Sequence, residues 1–152
     1  MKQNNIYLVG FMGSGKTSIL KKIKQIVNAN TIDLDENIEK KYGSINKIFQ
    51  TKGEKYFRNI ELETFQALPD NDTVIALGGG SLEVSNILDE VKNSELSFYL
   101  KDTFENLWKR ISNSERPLVK KGKEEISDFI DCVKIYIISQ NILSISKIKK
   151  RK

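Results

Sequence analysis

The chain has 152 residues, 39% of them hydrophobic and 30% charged, which suits one globular domain with a single core and excludes collagen-like, disulfide-stapled and disordered classes. One cysteine, Cys132, and no histidine exclude an internal disulfide, a zinc-type Cys/His cluster and any histidine-based triad or general base, and a reducing, cytoplasmic setting is expected. The net charge of +5 is matched by five basic residues within Lys147–Lys152, so the body is balanced and lacks the broad basic face of a nucleic-acid binder.

Apolar runs bounded by Gly or Asp alternate with amphipathic stretches, the pattern of βα units around a parallel sheet covered on both faces. Strands are predicted near Ile6–Val9, Thr31–Asp33, Thr73–Leu77 and Glu95–Leu100. Helices are predicted over Lys16–Ile26, Asp35–Tyr42, Ile45–Gln50, Glu54–Leu68, Leu82–Val91 and Thr103–Ile111. In the helix from Glu54, Phe57, Ile60, Phe65 and Leu68 recur near a 3.6-residue spacing and make one apolar face. Arg58 and Glu61 sit three apart beside that face, placed to point together into a cleft. Residues 112–125 are polar, contain Pro117 and Gly122 and read as a mobile loop over a surface. No apolar stretch approaches the ~18 residues of a membrane span, and Ile6–Val9 is too short for a signal-peptide core. A soluble single domain, 1–152, is expected, without a membrane or nucleic-acid partner.

The first strand runs into Gly10-Phe11-Met12-Gly13-Ser14-Gly15-Lys16-Thr17, a full G-x-x-x-x-G-K-[ST] between a strand and a helix. Glycines let successive N–H groups turn toward a phosphate, and the helix N-terminus adds a positive dipole end. Lys16 is suited to bridge β- and γ-phosphates and the Thr17 hydroxyl to ligate Mg²⁺. The order of strand, loop and helix makes nucleotide-phosphate binding the best supported reading.

The second strand ends in Asp33-Leu34-Asp35. Strand alternation puts both carboxylates on one side at the carboxyl end of the sheet, which faces the ligand crevice. One would hold Mg²⁺ while the other accepts the proton of an attacking hydroxyl. Alternatively, Asp35 caps the following helix and Asp33 is solvated.

Together with Gly53-Glu54-x-x-Phe57-Arg58-x-x-Glu61, Gly78-Gly79-Gly80 and Arg116-Pro117-Leu118, these motifs resemble shikimate kinase, in order, over roughly residues 5 to 120. The resemblance implies a three-layer α/β/α fold with a central parallel sheet, of the P-loop, nucleoside-monophosphate-kinase-like kind. It implies transfer of the ATP γ-phosphate to the 3-hydroxyl of shikimate, with Mg²⁺, on the route to chorismate and aromatic amino acids. Carried onto this chain, Gly13, Ser14, Gly15, Lys16, Thr17 and Ser18 serve the nucleotide, and Thr17 and Asp33 the metal. Asp35 binds the acceptor hydroxyl and is the candidate base. Arg58 clamps the shikimate carboxylate, for which a planar guanidinium is suited, and Glu61 orients Arg58 or the metal shell. Gly78, Gly79 and Gly80 let backbone approach the acceptor closely, Arg110 stacks on adenine, and Arg116 is a catalytic lid arginine over the transferring phosphate. A monomer is expected.

The pattern breaks late. The family carries an arginine four residues before a tyrosine; here Cys132 stands four before Tyr136, with Lys134 between them, and 128–152 reads as an atypical basic tail. Losing one charged hydrogen bond, worth about 1.5–3 kcal/mol, would weaken shikimate binding roughly tenfold to a hundredfold. With AT-rich codons, a shifted frame near Ser127 would restore an arginine at that spacing and make the tail an artefact, which the gene sequence tests. Two other functions fit the motifs: a gluconate-type P-loop kinase, or a degenerate nucleotide-binding protein with weak or no turnover.

Overall fold

The computed structural model describes residues 4–117, 119–124, 126–127 and 143–146. Among the described residues five strands, β1 (Ile6–Val9), β2 (Asn30–Asp33), β3 (Thr73–Ala76), β4 (Leu96–Lys101) and β5 (Leu143–Ser146), form one sheet in the order β2-β3-β1-β4-β5. Every neighbouring pair is parallel.

Parallel strands covered on both faces read as continuous apolar runs, and the core shows why. Tyr7, Val9, Ile75, Leu77 and Tyr99 pack on one side against α2 (Leu34–Tyr42), α3 (Ile45–Gln66) and α4 (Ser85–Asn93), through Leu34, Ile38, Phe57, Ile60, Phe65, Ile87 and Val91. The alternate residues Leu8, Val74, Ala76 and Leu100 pack on the other side against Leu20, Ile19 and Ile23 of α1 (Lys16–Ile26). The result is the expected three-layer α/β/α arrangement. A smaller cluster joins Phe11 and Met12 to Leu107 and Ile111 of α5 (Phe104–Ile111) and to Ile126.

The two helices predicted on either side of Gly53 are one continuous element broken at that residue, where φ is 80° and ψ 172°. A side chain is strained in that region of backbone space, so glycine is what lets the helix change direction. The segment predicted as a helix from Leu82 begins instead as a 3-10 turn, Ser81–Glu83, with α4 starting at Ser85. Strand β5 has no counterpart among the predicted strands. It falls inside 128–152, so that stretch contributes backbone to the sheet edge. Cys132, Lys134 and Tyr136 lie outside the described residues.

The register positions the site. Asp33 is level with Ala76, and Ala76 with Leu8, so β1, β2 and β3 end together. The segments that follow them, Gly10–Gly15, Leu34–Asp35 and Leu77–Gly80, therefore converge at the carboxyl edge, where open α/β sheets bind ligands.

Candidate active site

The loop from Gly10 to Gly15 winds into α1 through left-handed glycines, with φ of 78° at Gly13 and 98° at Gly15, the helix N-cap. The first N–H groups of α1, on Lys16, Thr17 and Ser18, precede any intrahelical acceptor and so face outward as donors. Ser14 is arranged differently: its amide donates to the Phe11 carbonyl at 3.1 Å, and its buried Oγ makes no hydrogen bond. The Lys16 ammonium donates to the carbonyls of Gly10, at 2.6 Å, and Phe11, at 3.1 Å. Desolvation pulls its pKa down to about 8, against the fields of Asp35 and Asp33 and with that of Arg116.

The Asp-x-Asp pair does not use strand alternation. Asp33 ends β2, but Leu34 already begins α2, so Asp35 stands in the first helical turn. Asp33 is the cap: its Oδ1 accepts from the amides of Asp35, at 3.1 Å, and Glu36, at 3.4 Å, while its Oδ2 accepts from the Thr17 hydroxyl at 2.7 Å. Capping therefore falls to Asp33, the reverse of the alternative that the sequence allowed. It leaves the Asp35 carboxylate over the crevice, where burial raises its pKa to about 6 despite nearby Lys16.

Arg58 and Glu61 meet as their spacing predicted, with Nη1 donating to Oε2 at 2.8 Å. Glu61 is fully buried, which a carboxylate tolerates only with partners; its other oxygen accepts from the Ser81 hydroxyl at 2.5 Å. Arg58 Nη2 donates to Glu54, at 3.3 Å, and to Glu83, at 2.9 Å. Burial works against the guanidinium charge, and the carboxylates of Glu61, Glu83 and Glu54 outweigh it, so its pKa is raised.

Each of the three glycines after β3 is required by a different neighbour. A Cβ on Gly78 would lie 2.8 Å from Asp35 Oδ1, one on Gly79 2.9 Å from the Met12 amide nitrogen, and one on Gly80 2.5 Å from Arg58 Nη2. The run thus presses against the candidate base, the phosphate loop and the candidate clamp in turn.

These groups share one cleft of about 320 Å³, walled by Met12, Asp35, Phe49, Phe57, Arg58, Glu61, Gly78–Gly80 and Arg116, within the range of small-molecule sites. Arg116 reaches it from an exposed position in the loop after α5. Arg110 does not line it; its guanidinium ties α5 to the phosphate loop, donating to Gly13 O and to Asp102, both at 2.7 Å. Among the described residues no group of three or more Asp, Glu, Cys or His is placed to hold a metal ion. Thr17 Oγ1 and Asp33 Oδ2 are the hard oxygens beside the phosphate loop.

The sequence reading assigned no site role to Glu54 or Phe57, although both stand in a motif it used, and did not single out Ser81, Glu83 or Phe49; the rings of Phe49 and Phe57 have centroids 4.8 Å apart on the cleft wall. Glu54 was discoverable as the i−4 neighbour of Arg58. Phe57 carried a core signal that hid its second role, and nothing in the spacing of Ser81 or Glu83 marks them.

The chain is similar in sequence and fold to known proteins. A family model described as shikimate kinase matches residues 12–150. A shikimate kinase of Dictyoglomus turgidum is 45% identical over 133 residues, spanning 82% of this chain and 76% of that one; one of Persephonella marina is 36% identical over 130 residues, 84% of this chain and 79% of the relative. Among solved structures, shikimate kinase from Acinetobacter baumannii in complex with shikimate superposes with a TM-score of 0.82 at 26% identity, covering 97% of this chain and 85% of that one. The Aquifex aeolicus enzyme gives 0.76 at 30% identity, over 93% and 85%. The phosphate loop, the capped Asp pair and the glycine-packed arginine thus stand in a chain that belongs to the shikimate kinase family.

Proposed function

We propose that the cleft holds shikimate with its 3-hydroxyl on Asp35 and its carboxylate on Arg58, and that the hydroxyl takes the γ-phosphate of ATP seated on the loop from Gly13 to Ser18. The observation that carries this reading is the convergence of Asp35, Arg58, Arg116 and Gly78–Gly80 in one cleft, with Lys16 close enough to Asp35 for each to shift the other's proton affinity. Phosphoryl transfer asks the protein mainly for positioning and charge stabilisation. Lys16 supplies fixed positive charge toward the phosphates, and Arg116, which lines the cleft and whose field reaches Lys16, adds a second cation. Asp35, with a pKa near 6, is a carboxylate at neutral pH, suited to orient the hydroxyl and receive its proton. Arg110, held in place by Gly13 O and Asp102, keeps a planar face for adenine.

Thr17 and Asp33 would hold Mg²⁺, a hard cation that takes a few oxygen donors and completes its shell with phosphate oxygens and water. When bound, it supplies neutralisation of charge on the transferring phosphoryl group. We place the reaction in the cytoplasm and assign it to a monomer. A coupled ADP-release assay tests the whole reading: ADP appears only with shikimate and Mg²⁺ together, gluconate does not replace shikimate, and EDTA stops it. Nucleotide binding without shikimate-dependent ADP would leave only a degenerate nucleotide binder.

Gly80 offers a test that separates function from folding. Its φ of −114° suits any residue, so Gly80→Ala costs little backbone strain, and the new Cβ collides only with the far end of Arg58. The guanidinium moves aside, and a misplacement of about 1 Å can cost up to ~10²-fold. The shikimate KM is expected to rise about tenfold with the thermal midpoint nearly unchanged, measured by steady-state kinetics and calorimetry.

A further inference from the structure

We infer that Asp102 is a positioning residue of the nucleotide site: it holds Arg110 on the Gly13 carbonyl, and the pair keeps the phosphate loop in one shape while Lys16 serves the phosphates. This rests on the reading of that loop as the ATP site. Asp102 stands just before Thr103, the N-cap of α5, and Arg110 in the last turn of the same helix. Helical side chains lean toward the N-terminus, so the arginine reaches back along α5 and its Nη2 donates to Asp102 Oδ2 at 2.7 Å. Its Nη1 donates to Gly13 O, also at 2.7 Å.

The carboxylate is a fixed anchor. Its Oδ1 accepts from the Thr103 amide at 2.9 Å and from the Asn106 side-chain amide at 2.8 Å, and its side chain is only 8% exposed. The Arg110 side chain is 36% exposed, and one neutral carbonyl is a weak hold for so long a side chain. The peptide it grips needs holding, because Gly13 has no side chain and a φ of 78°. On the other side of that peptide the Ser14 amide donates to Phe11 O at 3.1 Å. Held at both ends, the plane cannot turn over without losing both bonds, and the outward-facing amides of Lys16, Thr17 and Ser18 follow from it. Lys16 holds two further carbonyls of the loop, Gly10 O and Phe11 O, but that hold lapses as the ammonium turns to a triphosphate. The contact of Arg110 with Gly13 O uses neither the ammonium nor an outward-facing amide, so it persists when nucleotide binds.

The test compares the wild type, Asp102→Asn, Arg110→Ala and the double variant by the KM for Mg·ATP and the KM for shikimate. Asparagine keeps Oδ1, and with it the first turn of α5, but sets an NH₂ group against Arg110 Nη2, donor against donor. The Mg·ATP KM is expected to rise about two- to tenfold, the span for ordering one long side chain on binding, with the shikimate KM unmoved. Arg110→Ala is expected to raise it at least as far, and adding Asp102→Asn to that variant to do nothing more. An unchanged Mg·ATP KM in Asp102→Asn overturns the proposal, and so does a lowered one, which would make Asp102 merely a charge that repels the triphosphate. A rise shared by the shikimate KM, or one that persists without Arg110, also overturns it, since either marks a general loosening of the fold. If Mg·ATP leaves the wild-type thermal midpoint where it is, the assignment of the loop itself falls, apart from any fault in the role of Asp102.

Discussion

Lys16→Met is expected to lower kcat by roughly 10³, the upper range for removing one preorganised charge from a transition state, while the protein stays folded. The ammonium is held by the carbonyls of Gly10 and Phe11, at the point where the loop turns into α1. Those contacts satisfy the amine. They are weak competitors for a triphosphate, whose oxygens carry full charge and accept stronger hydrogen bonds. The residue is also desolvated enough to pull its pKa from 10.5 to about 8. Its folded pKa lies below its unfolded one, so the unfolded state binds more protons between these values and stability rises with pH across that window. At pH 7 the charge is therefore a net burden on the fold, and Met, of similar reach, removes it. Loss of turnover with an equal or higher thermal midpoint is the expected pair of results; loss of both would mean that Lys16 holds the loop together rather than serving the phosphates.

Much of this site could be read from the residues because its parts lie on local motifs. The phosphate loop needs only its own glycines and the flanking strand and helix. Arg58 and Glu61 need only helical periodicity, and the break at Gly53 separates two apolar patterns that the sequence already keeps apart. What required the third dimension was assignment between neighbours. Period-two alternation put Asp33 and Asp35 on one strand face, but helix capping won: an aspartate before a helix gains two amide hydrogen bonds by ending the strand. The packing of Gly78–Gly80 against three separate partners depends on strand register, and Glu83 meets Arg58 only because the turn after β3 folds back over α3. Strand β5 was missed for another reason. Leu143-Ser144-Ile145-Ser146 does alternate, but four residues beside a lysine-rich end give a weak signal, and its partner, β4, lies more than forty residues earlier.

Asp35→Asn is expected to lower kcat by about 10²–10⁴, the range for a general base, and to remove the acidic limb of the pH profile. In the free enzyme the Asp35 carboxyl titrates near 6 because burial outweighs the pull of Lys16. As the proposed base it must be deprotonated to accept the hydroxyl proton, so kcat/KM is expected to rise as pH increases through about 6. Lys16 must stay protonated, so kcat/KM falls as pH increases through about 8. The wild type should therefore give a bell, and the Asn variant only its descending side. Stability moves the other way. The folded pKa of Asp35 is above its unfolded value of 3.8, so the folded state binds the extra proton between about 4 and about 6, and stability falls as pH rises across that range. Above it, a shift of about two units corresponds to ~3 kcal/mol of desolvation carried by the native state. Asn cannot ionise and removes that load, so at pH 7.5 the variant should melt several degrees higher than the wild type while turning over far more slowly. A variant that melts lower, or keeps the acidic limb, would mean that another group supplies the titration and that Asp35 serves only to shape the cleft.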